Sequence, residues 1–227
     1  MDKGLNQLLK WGIENTTAAS GATATDGPDA APPAAAPTNS GLNPEILAAL
    51  FGGPSDADLM KASMAVITSK DADETLENRL VAFDNFEQLV ESLDNANLMD
   101  KLALWTPLLG VLESDEPELR RMAAWCVGTA VQNNQPSQER LLAMGGLPPL
   151  VKVAANASET EGVRRKAIYA LSSACRNYQP AMDACLLALS QLETKVPTLS
   201  ALPAAVDATN MDAVDEIING LKSDLAK

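Results

Sequence analysis

RRMAAWCVGTAVQNNQPSQ (residues 120–138) and RRKAIYALSSACRNYQPAMD (residues 164–183) repeat one pattern. Arg121 precedes Trp125 by four residues, and Arg165 precedes Tyr169 by four. Gln132-Asn133 then stands over Arg176-Asn177, and Gln135-Pro136 over Gln179-Pro180, at matching distances past the aromatic. Agreement at that many offsets is hard to reach by chance. An earlier segment, Arg79-Leu-Val-Ala-Phe83, fits the same frame and puts the three aromatics 42 and 44 residues apart.

A helical period of roughly 40–47 residues belongs to HEAT and armadillo arrays, in which each repeat buries its apolar face only against its neighbours. The predicted fold class is therefore all-α, an armadillo/HEAT-like helical-repeat solenoid with a flexible N-terminal arm. Second helices precede the copies in Trp105-Thr-Pro107-Leu-Leu109 and Gly145-Gly-Leu147-Pro-Pro149-Leu. Proline near each start pre-sets φ, and the leucines form a buried stripe. In the first copy DNFEQLVESLDNANLM (84–99) reads as one extended third helix. It places Phe83, Phe86, Val90 and Leu93 in the core and turns Glu87, Glu91, Asn95 and Ala96 outward. Phe83, Trp125 and Tyr169 are assigned to the core, and Arg79, Arg121 and Arg165 to structural bonds between repeats.

Working outward, residues 74–183 hold the armadillo-like repeats and 43–73 the N-terminal capping helices. In the latter, Asn43-Pro44 is a helix start and Gly52-Gly53-Pro54 a stop. Ser55 opens a further helix with Leu59, Met60, Met64 and Ile67 on one side. Residues 184–227 form a C-terminal cap whose last helix turns Val214, Ile217, Ile218 and Leu221 inward. Residues 16–42, rich in Ala, Pro and Thr, cannot bury enough apolar surface to offset chain entropy and read as a disordered linker. Residues 1–15 form a short amphipathic motif carrying Leu8, Leu9, Trp11 and Ile13.

The composition removes whole classes of function. The 227 residues include 17 Lys plus Arg against 30 Asp plus Glu, a net charge of -13, and no histidine. Ser-His and Cys-His nucleophile pairs and His-bearing metal sites are therefore impossible. Paired carboxylates such as Asp71/Asp73 and Asp115/Glu116 fall in charged turns, so an enzyme is not expected, nor a metal or cofactor. The acidity argues against nucleic acid and against anionic membrane surfaces. Three cysteines, Cys126, Cys175 and Cys185, without CxxC spacing read as core-filling thiols of a reducing compartment. No secretory apolar region or membrane span is visible, and a cytoplasmic or nucleocytoplasmic protein is expected.

Several blocks resemble a known family. LNQLLKWGIENT, LMKASMAVI, LVAFDNFEQLVESLDNANLM, GTAVQNNQPSQ and RRKAIYALSSACRNYQPAMD together are similar to the fungal cytosolic nucleotide-exchange factors of the seventy-kilodalton heat-shock (DnaK-type) chaperones. That armadillo family includes the animal heat-shock-protein-binding protein. The resemblance implies a monomer that grips one lobe of the chaperone's nucleotide-binding domain, displaces it and lets ADP leave. It also implies that the arm, through Leu8, Leu9, Trp11 and Ile13, mimics a substrate peptide. By repeat register the expected chaperone-contacting strip is Glu87, Glu91, Asn95 and Ala96, then Gln132, Asn133 and Asn134, then Arg176 and Asn177.

The alternative is an armadillo adaptor that binds peptide or protein partners without exchange activity. Peptide-reading armadillo receptors carry asparagine four residues after the third-helix tryptophan. Here the corresponding positions are Thr129 and Ser173.

Overall fold

The computed structural model describes residues 54–192, 203 and 205–226. The amphipathic motif with Leu8, Leu9, Trp11 and Ile13, the linker and the first capping helix lie outside the described residues. Among those described, every regular element is a helix.

α1 (Asp56–Ile67) starts where the Ser55 hydroxyl accepts the Asp58 N–H, with Asp56 and Asp58 in the first turn. α2 (Leu76–Val90) starts in the same way at Thr75, which accepts from Asn78 N–H. α3 (Leu93–Lys101) leads to α4 (Trp105–Gly110), which tightens into a 3-10 turn at Val111–Glu113. α5 (Pro117–Val131) has proline at its first position. α6 (Gln135–Ala143), α7 (Leu147–Ala155) and α8 (Glu161–Cys175) follow, and then α9 (Gln179–Ser190). α10 (Met211–Ser223) is capped by the Asn210 side chain, which accepts the Ala213 N–H, and ends in a 3-10 turn at Asp224–Ala226.

The third helices α2, α5 and α8 pack in a row, each on the next. Second helices back them, α1 on α2 and α7 on α8, while α9 lies on α7 and α10 on α8. This is the armadillo-like arrangement that the period predicts. Val214, Ile217, Ile218 and Leu221 are buried, as expected. Cys126, Cys175 and Cys185 are buried free thiols.

Helix geometry corrects the register of the repeat. α2, α5 and α8 are each 15 residues long. Counted from their first residues, Phe83 coincides with Ala124 and Ile168, and all three are buried. Trp125 and Tyr169 instead coincide with the exposed Asp84. The aromatic-to-aromatic frame is thus one residue out in the first copy, and neither Trp125 nor Tyr169 is a buried core residue, although Trp125 packs against the core from outside. Both are half-buried at the surface.

The same count aligns Arg79 with Arg120 and Arg164 rather than with Arg121 and Arg165. Their bonding agrees with this count, since each of the three donates to a main-chain carbonyl at or just beyond the end of the preceding element. Arg79 Nε bonds Ile67 O at 2.8 Å, Arg120 Nη1 bonds Asp115 O at 3.0 Å, and Arg164 Nε bonds Ala154 O at 3.0 Å. The carbonyls of Ile67 and Ala154 have no partner within their own helices, Asp115 lies in a turn, and the guanidinium supplies a donor to each. Arg121 and Arg165 pair only within their own helices, with Glu118 and Glu161.

The extended third helix expected in the first copy is also corrected. α2 ends at Val90, and Ser92 is extended (ψ 126°) before α3 begins. Asn95 Nδ2 reaches back to the Leu89 carbonyl at 3.0 Å and satisfies an acceptor that a continuing helix would have used. The break inverts the expected facing: Leu93 is 56% exposed, whereas Asn95 and Ala96 are buried. Leu59, expected inward on α1, is 38% exposed.

Candidate functional site

Along the row of third helices runs a groove of about 480 Å³. α2 and its end contribute Glu87 and Glu91, and the start of α3 contributes Leu93; α5 and its end contribute Trp125, Thr129, Gln132 and Asn133; α8 contributes Tyr169. These side chains converge because the three helices share one length and one register, so equivalent turns stand side by side. Gly128 permits a close approach of α8 to α5. A Cβ there would lie 2.5 Å from two ring carbons of Tyr169 and 3.1 Å from Ala170 Cα.

Bonds between helices fix the walls. The Thr129 hydroxyl donates to Glu87 Oε1 at 2.7 Å, and the Tyr169 hydroxyl donates to Gln132 Oε1 at 3.0 Å. Lys166 lays its ammonium over the Trp125 ring, 3.6 Å from the centroid, and stands 5.8 Å from that of Tyr169. Burial lowers the Lys166 pKa from the ordinary lysine value; attraction from Glu87 opposes the shift, and the nearby Arg121 charge adds to it.

Four of the sequence-predicted contact residues line this groove: Glu87, Glu91, Gln132 and Asn133. Glu87 nevertheless is buried rather than outward-facing. Asn95, Ala96 and Asn134 are buried elsewhere, so their expected outward placement does not hold. Asn95 bonds Asp56 and Leu89, tying α3 to the start of α1. Ala96 borders a separate hollow between α3 and α6. Asn134 bonds the Ala130 carbonyl and the Ser137 hydroxyl.

Arg176 and Asn177 are engaged by the C-terminal segment. The Arg176 guanidinium pairs with Asp215 and bonds Ser172 Oγ at 3.1 Å, and Asn177 N–H donates to Ala208 O at 2.9 Å. Asn133 and Asn177 have positive φ, 51° and 58°. Asparagine tolerates that left-handed conformation better than most side chains, which accounts for its recurrence at this turn.

Sequence reasoning missed Trp125, Thr129, Tyr169 and Leu93 as groove residues, and Lys166 as the cation lying on the two rings. A signal existed: once the repeats are counted from the helix starts, Trp125 and Tyr169 align with the charged Asp84, and residues equivalent to a surface aspartate face outward. Aromatic faces, carboxylates and carboxamides on a rigid helical row are suited to holding a protein surface.

Fold and groove together define an armadillo-type helical scaffold. Comparison with known proteins makes this specific. Residues 5–99 match the family described as nucleotide exchange factor Fes1, and residues 95–194 match the SIL1/FES1/HPBP1 C-terminal domain. The Hsp70 nucleotide exchange factor FES1 of Gibberella zeae is 56% identical over 227 residues, covering 100% of this chain and 99% of that protein. Relatives of the same description in Neurospora crassa and Coccidioides immitis are 52% and 46% identical, each over 98% of both chains. The chain belongs to the Fes1 family of nucleotide exchange factors. An engineered protein known from its crystal structure superposes with a TM-score of 0.52 at 18% identity, covering 79% of this chain and 66% of that one, which is a likeness of fold alone.

Proposed function

We propose that the chain is a co-chaperone that binds the nucleotide-binding domain of an Hsp70 (DnaK-type) chaperone through the α2–α5–α8 groove and promotes ADP release. The observation that carries this reading is the joining of a Fes1-family sequence to a built groove on the third helices, with Trp125 and Tyr169 beside Glu87 and Gln132. Glu91 and Asn133 belong to the same contact surface.

Exchange of this kind needs no bond-making by the factor. It requires tighter binding to the displaced lobe than to the nucleotide-closed one, and a thousandfold loss of ADP affinity corresponds to about 4 kcal/mol of differential binding. A rigid row of helices suits the task, because a soft surface would adapt to the closed lobe. The arm, through Leu8, Leu9, Trp11 and Ile13, is assigned to clearing substrate from the chaperone's peptide groove. The factor acts as a monomer in the cytoplasm; among the described residues no helix is long and apolar enough to cross a membrane.

The test preloads a DnaK-type chaperone with labelled ADP and follows release by stopped flow with and without the full chain. Acceleration at micromolar concentration is expected. Binding without acceleration would make the chain an adaptor instead. Deleting residues 1–40 should spare ADP release yet slow displacement of a bound peptide, and unaltered displacement would remove the arm from the mechanism.

A further inference from the structure

The geometry points to a cation subsite on the groove's aromatic wall: the rings of Trp125 and Tyr169, in the negative field of the groove carboxylates, receive an arginine or lysine side chain from the chaperone's nucleotide-binding domain, in the place that Lys166 holds over those rings in the free protein. This rests on the exchange-factor reading and names what its groove recognises.

Four observations carry it. The Trp125 face already holds an ammonium at 3.6 Å, and tryptophan is the strongest such face. Tyr169 is 5.8 Å from the same charge, so a single cation is within range of both rings. Glu87 and Glu91 border the same groove in a chain of net charge -13, which favours a basic visitor over an acidic one. Finally, Lys166 is tethered lightly. Among the described residues it has no ion pair within 4.0 Å and no hydrogen bond, only the ring faces.

Lys166 is therefore a displaceable occupant. Its four-carbon stem lets the ammonium swing into water while the stem stays on the ring. An incoming guanidinium stacks on Trp125 as a plane and keeps its N–H groups free to donate at its edge, which an ammonium does less well. The subsite accordingly prefers arginine to lysine.

Lys166→Met keeps an aliphatic stem on Trp125 and removes the competing charge. In the full chain it should tighten binding to a DnaK-type chaperone by about twofold to fivefold by titration calorimetry, the scale of one exposed cation–π contact. Unchanged binding overturns the proposal. Weaker binding overturns it too, since Lys166 would then be reaching a partner carboxylate. A second measurement needs no chaperone. Acetyl-arginine amide should shift the Trp125 indole N–H resonance of Lys166→Met saturably, and that of the unaltered protein less, whereas acetyl-citrulline amide, its neutral isostere, should leave it in place. Equal responses to the two probes, or none to either, remove the cation subsite. Absence of chaperone binding in both proteins, beside a positive arginine titration, overturns the exchange reading and the named occupant while retaining the subsite.

Discussion

The Thr129 hydroxyl donates to Glu87 Oε1 at 2.7 Å and joins α5 to α2 across the groove. Glu87 is only 6% exposed, and a carboxylate so enclosed needs its donor. Thr129→Val preserves shape and removes the bond. It should destabilise the fold by about 1–3 kcal/mol, read as a lower urea midpoint at unchanged slope, while Thr129→Ser stays near the parent value. Equal midpoints for Thr129→Val and the parent would mean that Glu87 is held by something other than Thr129.

At Gly128 α5 packs tightly against α8. Gly128→Ala places a methyl 2.5 Å from the Tyr169 ring and 3.1 Å from backbone. The ring can rotate away but the backbone cannot, so the helices must separate at a cost of about 1–3 kcal/mol. Moving Tyr169 also breaks its bond to Gln132. The expected result is a lower thermal midpoint together with weaker chaperone binding. A fully retained midpoint would show that the two helices have slack.

Much of this arrangement is legible in the sequence. The period, the helix start at Ser55 and the buried stripe of α10 all follow from local rules, because caps and amphipathic spacing act over a few residues. The groove was harder to read. Aligning Phe83 with Trp125 is natural by residue type, but a helix measures position by turns from its start, and one residue of slip rotates a side chain by about 100°. That slip moved Trp125 and Tyr169 into an imagined core. The break at Glu91–Ser92 was equally hidden, since the Asn95 side chain that bonds the Leu89 carbonyl there also bonds Asp56, 39 residues away in sequence.

Asn133 combines a backbone role with a groove position. Its φ of 51° disfavours Asn133→Ala whatever the side chain does, by about 1 kcal/mol. Asn133→Gly accepts that backbone without penalty. Comparing the two separates turn from contact. Asn133→Gly should melt close to the parent protein yet bind the chaperone more weakly, and unweakened binding would restrict Asn133 to the turn.

Arg176 lies at the edge of the candidate surface but is paired with Asp215 in the cap. The pair is partly exposed, so its loss should move stability by less than about 1 kcal/mol. Local opening is the more sensitive measure. Arg176→Ala and Asp215→Ala should raise amide exchange over residues 205–226 alike and change chaperone affinity alike, because both act through the cap. An affinity loss confined to Arg176→Ala would make the guanidinium a direct contact.

The neighbouring pair Arg164 and Arg165 decides the register of the whole array. Arg164 is 8% exposed and bonds two carbonyls from different elements, Ala154 O at 3.0 Å and Asp224 O at 3.1 Å. A lysine ammonium has no planar fork, so Arg164→Lys leaves one carbonyl without a donor and should cost about 1–3 kcal/mol. Arg165 is exposed and pairs only with Glu161 one turn earlier. Arg165→Lys retains that charge pairing and should leave the denaturation midpoint where it is. The two substitutions are chemically identical and adjacent in sequence, and differ only in which face of α8 they occupy. If Arg165→Lys proved the costlier, the alignment of Arg79 with Arg120 and Arg164 would be wrong. Trp125 and Tyr169 would then return to the core, and the groove would lose both its aromatic faces.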